Sequence, residues 1–140
     1  MRSQRSGCGW LLAAALVSGA AVAEERTPQV NYLLHCGGCH LPDGRGAPPV
    51  PSLTDEVVQL SDVDAVRRYL VQVPGSSQAP VSDAELAEIL NWVFTELRTV
   101  PLPAGFTPLT AEEVGSARAT VLLDPMGERT RLWNLYYHQQ

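Results

Sequence analysis

Lysine is absent from this sequence. All ten basic residues are arginine, and nothing in the pattern accounts for that. Charged residues are sparse, at 18% of 140, while 45% are hydrophobic. That balance excludes the highly charged, disordered class. There is no Gly-X-Y period and no internal repeat, which excludes collagen-like and solenoid architectures. No alternation of apolar and polar residues is long enough for a strand, so an all-α chain of a single domain's length is expected. Positive charge is the scarcer sign, and the formal net charge is −5. An acidic chain does not attract phosphate backbones, so nucleic acid is not an expected partner.

Residues 1–23 read as a cleaved secretory signal peptide. Arg2 and Arg5 form a positive n-region, Trp10 to Val17 an apolar run, and Ala21-Val22-Ala23 a small-x-small cleavage site. The apolar run is interrupted at Ser18-Gly19, short of the roughly 20 residues a spanning helix needs. Cys8 precedes the apolar run, which argues against a lipoprotein. The expected location is therefore the periplasm, with no membrane span after cleavage. Without Arg2 and Arg5, eight arginines face fifteen acids, a net charge of −7. Such acidity suits a partner with a positive docking face.

Helix signals recur along the rest. Thr27-Pro28 reads as an N-cap and first helical residue, with Val30, Leu33 and Leu34 on one face running into the cysteines. The stretch 41–53 carries Pro42, Pro48, Pro49 and Pro51 with Gly44 and Gly46, and is expected to be an irregular loop wrapped around something. Ser61 or Asp62 can cap a helix through about Gln72, stopped by Pro74-Gly75, with Arg67-Arg68 on its solvated face. Ser82-Asp83-Ala84-Glu85 is a capping box, and Leu86, Ile89, Leu90, Val93, Phe94 and Leu97 form one apolar stripe behind it. Trp92 lies off that stripe. Thr110 to Glu113 is a second capping box. Asp124-Pro125 opens a last helix with Met126, Trp133 and Tyr137 on one face, expected to pack inward.

Two cysteines follow the leader, Cys36 and Cys39, and in an oxidising compartment the plain expectation is a disulfide. His40 argues otherwise. Cys36-Gly37-Gly38-Cys39-His40 is the c-type haem attachment motif: two thiols add across the vinyl groups of one haem, and the next residue presents an imidazole to the iron. A structural zinc site would want four N or S ligands, and too few remain. A CxxC redox site would want a βαβ setting.

From these residues the sequence resembles the class I cytochrome c family. The match runs through Tyr32-x-x-x-Cys36-x-x-Cys39-His40, Asp43-Gly44-x-Gly46, Pro51-x-Leu53 and the segment from Ser82 to Val93, covering about residues 28 to 98. The resemblance implies a cytochrome c-like haem domain over 24–100 and a packed helical extension over 101–140. It implies one covalently attached haem c, with thioethers at Cys36 and Cys39 and His40 on the iron. It implies that Tyr32 meets Trp92 where the first and last core helices cross. It implies a bond from His40 to the Pro51 carbonyl. Leu53, Leu86, Leu90 and Val93 would line the haem pocket, and the haem would supply the apolar bulk that scarce aromatics do not. The function implied is electron transfer to or from a redox partner such as a periplasmic dehydrogenase or oxidase, by a monomer or small subunit rather than an enzyme.

The sequence departs from the family in the loop from Val73 to Val81. The family places its distal methionine there, usually beside a proline. This loop holds no Met, His or Lys. The leading expectation is an open or weakly ligated sixth iron site, with haem-based ligand binding or sensing as the alternative function. Met126 is the candidate protein ligand, His138 a weaker one, and His35 is too close to the motif to reach the far face.

Overall fold

The computed structural model describes residues 26–120 and 122–138. The leader at 1–23 lies outside the described residues. The described residues form eight helices in order: α1 (Pro28–His35), α2 (Gly37–His40), α3 (Asp55–Gln59), α4 (Asp64–Gln72), α5 (Pro74–Ser77), α6 (Asp83–Glu96), α7 (Ala111–Arg118) and α8 (Pro125–Tyr136). Among the described residues there is no strand, and no helix is long and apolar enough to cross a membrane. The protein is all-α.

The central element is α6. Ser82 Oγ accepts from the Glu85 amide while the Glu85 carboxylate accepts from the Ser82 amide, closing the capping box. Its stripe of Leu86, Ile89, Leu90, Val93 and Phe94 is buried, each such side chain contributing roughly 1.5–3 kcal/mol. One side of α6 packs on α1 and another on α7; α7 also packs on α4, and α8 packs on α4. The larger core cluster joins α4, α6, α7 and α8 through Tyr69, Leu70, Leu86, Phe94, Val114, Leu132 and Trp133. A smaller one joins α1 and α6 through Tyr32, Ile89 and Val93.

Four local expectations are corrected. Val30, Leu33 and Leu34 are exposed at 41%, 44% and 59%, while Asn31 and Tyr32 are buried. Aromatic stacking and a side-chain hydrogen bond at Tyr32 orient α1 in place of the aliphatic spacing. The α4 helix starts at Asp64, because the Ser61 hydroxyl donates to the Val58 carbonyl at 2.7 Å and closes α3. Pro74 follows the end of α4 at Gln72, as expected, but it does not leave the 73–81 segment a plain loop. It opens the short α5 as its first residue, where a missing N–H costs nothing. Arg67 is not on a solvated face; it is 5% exposed.

Arg67 lies between α4 and the segment beyond Pro101. Its guanidinium donates to the carbonyls of Ser61 at 3.0 Å and Thr107 at 2.6 Å, and pairs with Glu113 at 2.9 Å. Asn91 on α6 exchanges two bonds with the Leu109 backbone, at 3.0 and 2.7 Å. Buried polar groups that are fully partnered fix register more strongly than apolar contacts do. Residues 101–118 are therefore fastened to the α4–α6 pair by directional bonds.

Candidate cofactor site

The motif forms a tight turn. α1 ends at His35, and the Cys39 and His40 amides both bond to the Cys36 carbonyl, at 3.1 and 2.9 Å. Both thiols are free. Burial, followed by the neighbouring Cys39 thiol, pushes Cys36 upward, so it remains a neutral thiol.

The proline-rich loop folds back onto this turn. The Gly46 amide donates to the His40 carbonyl at 2.9 Å, the Ala47 amide to the Cys39 carbonyl at 3.2 Å, and the Leu53 amide to the Gly44 carbonyl at 2.8 Å. This return brings the Pro51 carbonyl to 3.0 Å from His40 Nδ1. A carbonyl only accepts, so Nδ1 carries the proton and the Nε2 lone pair is left for a metal. Burial lowers His40, partly offset by the Pro51 bond, which keeps the ring neutral and ligand-ready.

Tyr32 braces the other side. Its hydroxyl donates to the Leu41 carbonyl at 2.6 Å, and its ring packs on Trp92 with centroids 5.1 Å apart. Leu41 has φ +64 and ψ 159, a region nearly confined to glycine; such strain persists only where surrounding bonds hold it. We predict that Tyr32→Phe costs about 1 kcal/mol in denaturant unfolding by removing that bond. Burial first, then the Cys36 and Asp43 charges, push the Tyr32 phenol up to about 12 from 10.0. The unfolded chain therefore loses its phenol proton first as pH rises. Tyr32 contributes stability that is full below about pH 10 and is lost towards pH 12. Tyr32→Phe should flatten the alkaline fall in stability between about pH 10 and pH 12.

Cys36, Cys39 and His40 line one apolar cavity of ≈ 380 Å³. Pro51 and Leu53 line it from the loop, and Leu86, Ile89, Leu90 and Val93 from α6. Tyr69, Leu70, Val73, Gly75 and Ser76 line it from α4 and α5, and Pro125, Met126, Arg129 and Trp133 from α8. Tyr32 and Trp92 meet at the crossing of α1 and α6, and neither is part of the cavity wall. His138 stacks on Tyr137 and is not part of that wall either. Met126 was named from the sequence as a candidate ligand, but Ile89 and the other α8 residues, Pro125, Arg129 and Trp133, were missed. Ile89 sat on the stripe already identified, but nothing local marked α8 as a wall.

The cavity's composition fits a planar apolar macrocycle. Two thiols and one imidazole stand at its edge in a lining that is otherwise mostly aliphatic and aromatic. It does not fit a bare metal ion: among the described residues, no three His, Cys, Asp or Glu side chains cluster to hold one. A larger cleft of ≈ 530 Å³ lies between α4 and α7, but it holds no cysteine or histidine.

A cytochrome c-552 from Thermus thermophilus is 31% identical over 143 aligned positions, covering 87% of this chain and 95% of that protein. A second cytochrome c-552 from Thermus thermophilus is 32% identical over 118 positions, covering 69% of this chain and 90% of the relative. The chain belongs to the c-type cytochromes. No family profile matches it. The cofactor of the family is haem c, and the cytochrome's all-helical architecture agrees with that membership. The match covers 87% of the chain, so it extends past the core at 28–98 on which the resemblance was first seen.

Residues that sequence reasoning missed bind the far side of the cavity. Arg118 on α7 donates to the carbonyls of Ser76 at 3.3 Å, Ala79 at 3.0 Å and Val81 at 3.0 Å, and pairs with Asp83 at 2.8 Å. It thereby holds the 73–81 segment from outside. Glu56 on α3 accepts from Trp133 Nε1 at 2.9 Å and Arg129 at 3.1 Å. The Arg129 guanidinium also lies 4.4 Å over the Trp133 ring. These bonds seat α8 against the cavity. Their partners lie tens of residues apart in sequence, so only the folded chain reveals them.

Proposed function

We propose that this cytochrome is a periplasmic monohaem electron carrier, with the haem held by Cys36 and Cys39 and its iron bound by His40 Nε2. The observation that carries the reading is that Cys36, Cys39 and His40 all line one apolar cavity while the Pro51 carbonyl fixes the imidazole tautomer. When bound, the haem supplies one-electron exchange between ferrous and ferric iron. The chain's own contribution is position, ligand basicity and exclusion of water. Pro51 orients His40 and makes it a stronger donor. The α6 stripe supplies a low-dielectric wall, which favours the less charged ferrous form. Cys39 is exposed, so one edge of the site opens to solvent for electron exchange. The periplasmic assignment rests on the leader pattern at 1–23. The expected partner is a dehydrogenase or oxidase with a positive docking face.

Reversible one-electron voltammetry on the haem-loaded protein, with stopped-flow exchange against small redox reagents, tests this. A cationic reagent should exchange roughly tenfold or more faster than an anionic one of similar potential at low salt, and the gap should close as salt rises. A protein with no reversible wave, or with no charge preference, would not be this carrier.

A further inference from the structure

We propose that Met126, from α8, supplies the sixth ligand of the haem iron. The inference rests on the haem reading above and extends it to the far face of the site.

The 73–81 segment cannot supply that ligand. It contributes Val73, Gly75 and Ser76 to the cavity, and none carries a thioether or imidazole. At Gly75 the cavity is open: a Cβ there would meet no heavy atom within 4 Å. The segment is also not free to bring in something else, because Arg118 holds three of its carbonyls. Among the described side chains that line the cavity, strong iron donors beyond the attachment motif reduce to three. His35 is the last residue of α1, adjacent to Cys36, and is tethered to the attachment edge. The Tyr69 phenol is pushed upward, chiefly by burial, and its ring is packed edge-on against Trp133 at 6.1 Å. Met126 Sδ remains.

The expectation that Met126 packs in the core with Trp133 and Tyr137 is not met. Trp133 belongs to the main core cluster and Tyr137 packs against it; Met126 does neither, and it is 56% exposed. A flexible thioether that lines the cavity without packing in the core is available as a ligand. Its backbone is fixed. The Asp124 carboxylate accepts from the Gly127 amide at 2.9 Å and caps α8 at Met126's own turn. Arg129 and Trp133, one and two turns further on, line the same cavity and are tied to Glu56. One face of α8 thus presents Met126, Arg129 and Trp133 to the site, and Trp133 seats that face on the α4 wall. In this chain the extension performs the task that the loop before the last core helix performs elsewhere in the family. A neutral thioether favours ferrous iron and raises the reduction potential.

The test uses the full chain, loaded with covalent haem. Visible spectra are recorded in both oxidation states, before and after CO, for wild type, Met126→Leu and Met126→His. Leucine keeps the volume without the sulfur, and the site's exposure keeps the change away from core packing; retained covalent haem and helical circular dichroism check the fold. The expected result is a low-spin wild type that CO does not alter, with the sulfur-to-iron charge-transfer band in the ferric form. Met126→Leu should lose that band, become high-spin and bind CO. Met126→His should remain low-spin, with a lower potential than wild type. A wild type that is already high-spin and binds CO would overturn the proposal and favour an open ligand-binding or sensing site. A Met126→Leu protein with an unchanged low-spin spectrum would also overturn it. A chain that carries no covalent haem would instead overturn the reading on which the proposal rests.

Discussion

Replacing Gly46 with alanine will destabilise the cytochrome by about 2–4 kcal/mol and loosen His40, the proposed iron ligand. Gly46 has φ +76, where a side chain costs roughly 1–2 kcal/mol through backbone crowding alone. The larger effect is spatial. A Cβ there would drive into the Val50 carbonyl and fall 2.8 Å from the Pro51 carbonyl. Neither is the flexible end of a side chain, so the loop itself must move. The carbonyl displaced is the one that accepts from His40 Nδ1. Thermal unfolding of the loaded protein will show the stability loss. Voltammetry will show an upward shift in potential, because a histidine released from that bond is a weaker donor to ferric iron. A Gly46→Ala protein with wild-type stability and potential would mean that the loop does not hold His40.

Replacing Arg67 with methionine will cost about 3 kcal/mol and loosen the 101–118 segment on α4. Methionine keeps much of the stem's apolar volume but leaves the Ser61 and Thr107 carbonyls and one face of Glu113 without their donor. Stranded buried polar groups make such truncations far costlier than the net worth of the pair. The midpoint of thermal unfolding should fall by roughly 10–15 °C. Proteolysis within 101–118 should become faster. Partial burial pushes Glu113 up, but the Thr110 amide and the Arg67 guanidinium outweigh it, and the net direction is down. The pairing's contribution is therefore full above about pH 4.5 and is lost as pH falls through the lowered value. Wild type should lose stability in acid more steeply than Arg67→Met does. Equal slopes would place the linkage elsewhere.

The two residues show where sequence reading succeeds and where it stops. The near side of the site was legible because its chemistry is contiguous: Cys36, Cys39 and His40 lie within five residues, and Gly46 and Pro51 within eleven more. The capping boxes at Ser82 and Thr110 were legible because a cap is a local exchange between residues three apart. Arg67 was misread because a helix-face pattern cannot report a carboxylate 46 residues away. The α1 face was misread because Val30, Leu33 and Leu34 satisfy helical spacing, yet Tyr32 decides the orientation through Trp92 and Leu41. Of the α8 wall only Met126 was legible, as a candidate ligand; the rest was hidden for the same reason as Arg67. Glu56 and Trp133 meet across 77 positions, and that contact shows how α8 is seated against the cavity.

The central claim is that Cys36 and Cys39 hold one haem covalently. The most direct measurement is the mass of the full chain under denaturing conditions, after expression with a haem-attachment system. The account predicts a chain heavier by one haem, which acid and organic solvent do not extract. It predicts that the added mass disappears in the Cys36→Ser, Cys39→Ser double variant. A wild-type mass matching the bare polypeptide, or a haem that washes away on denaturation, would contradict it.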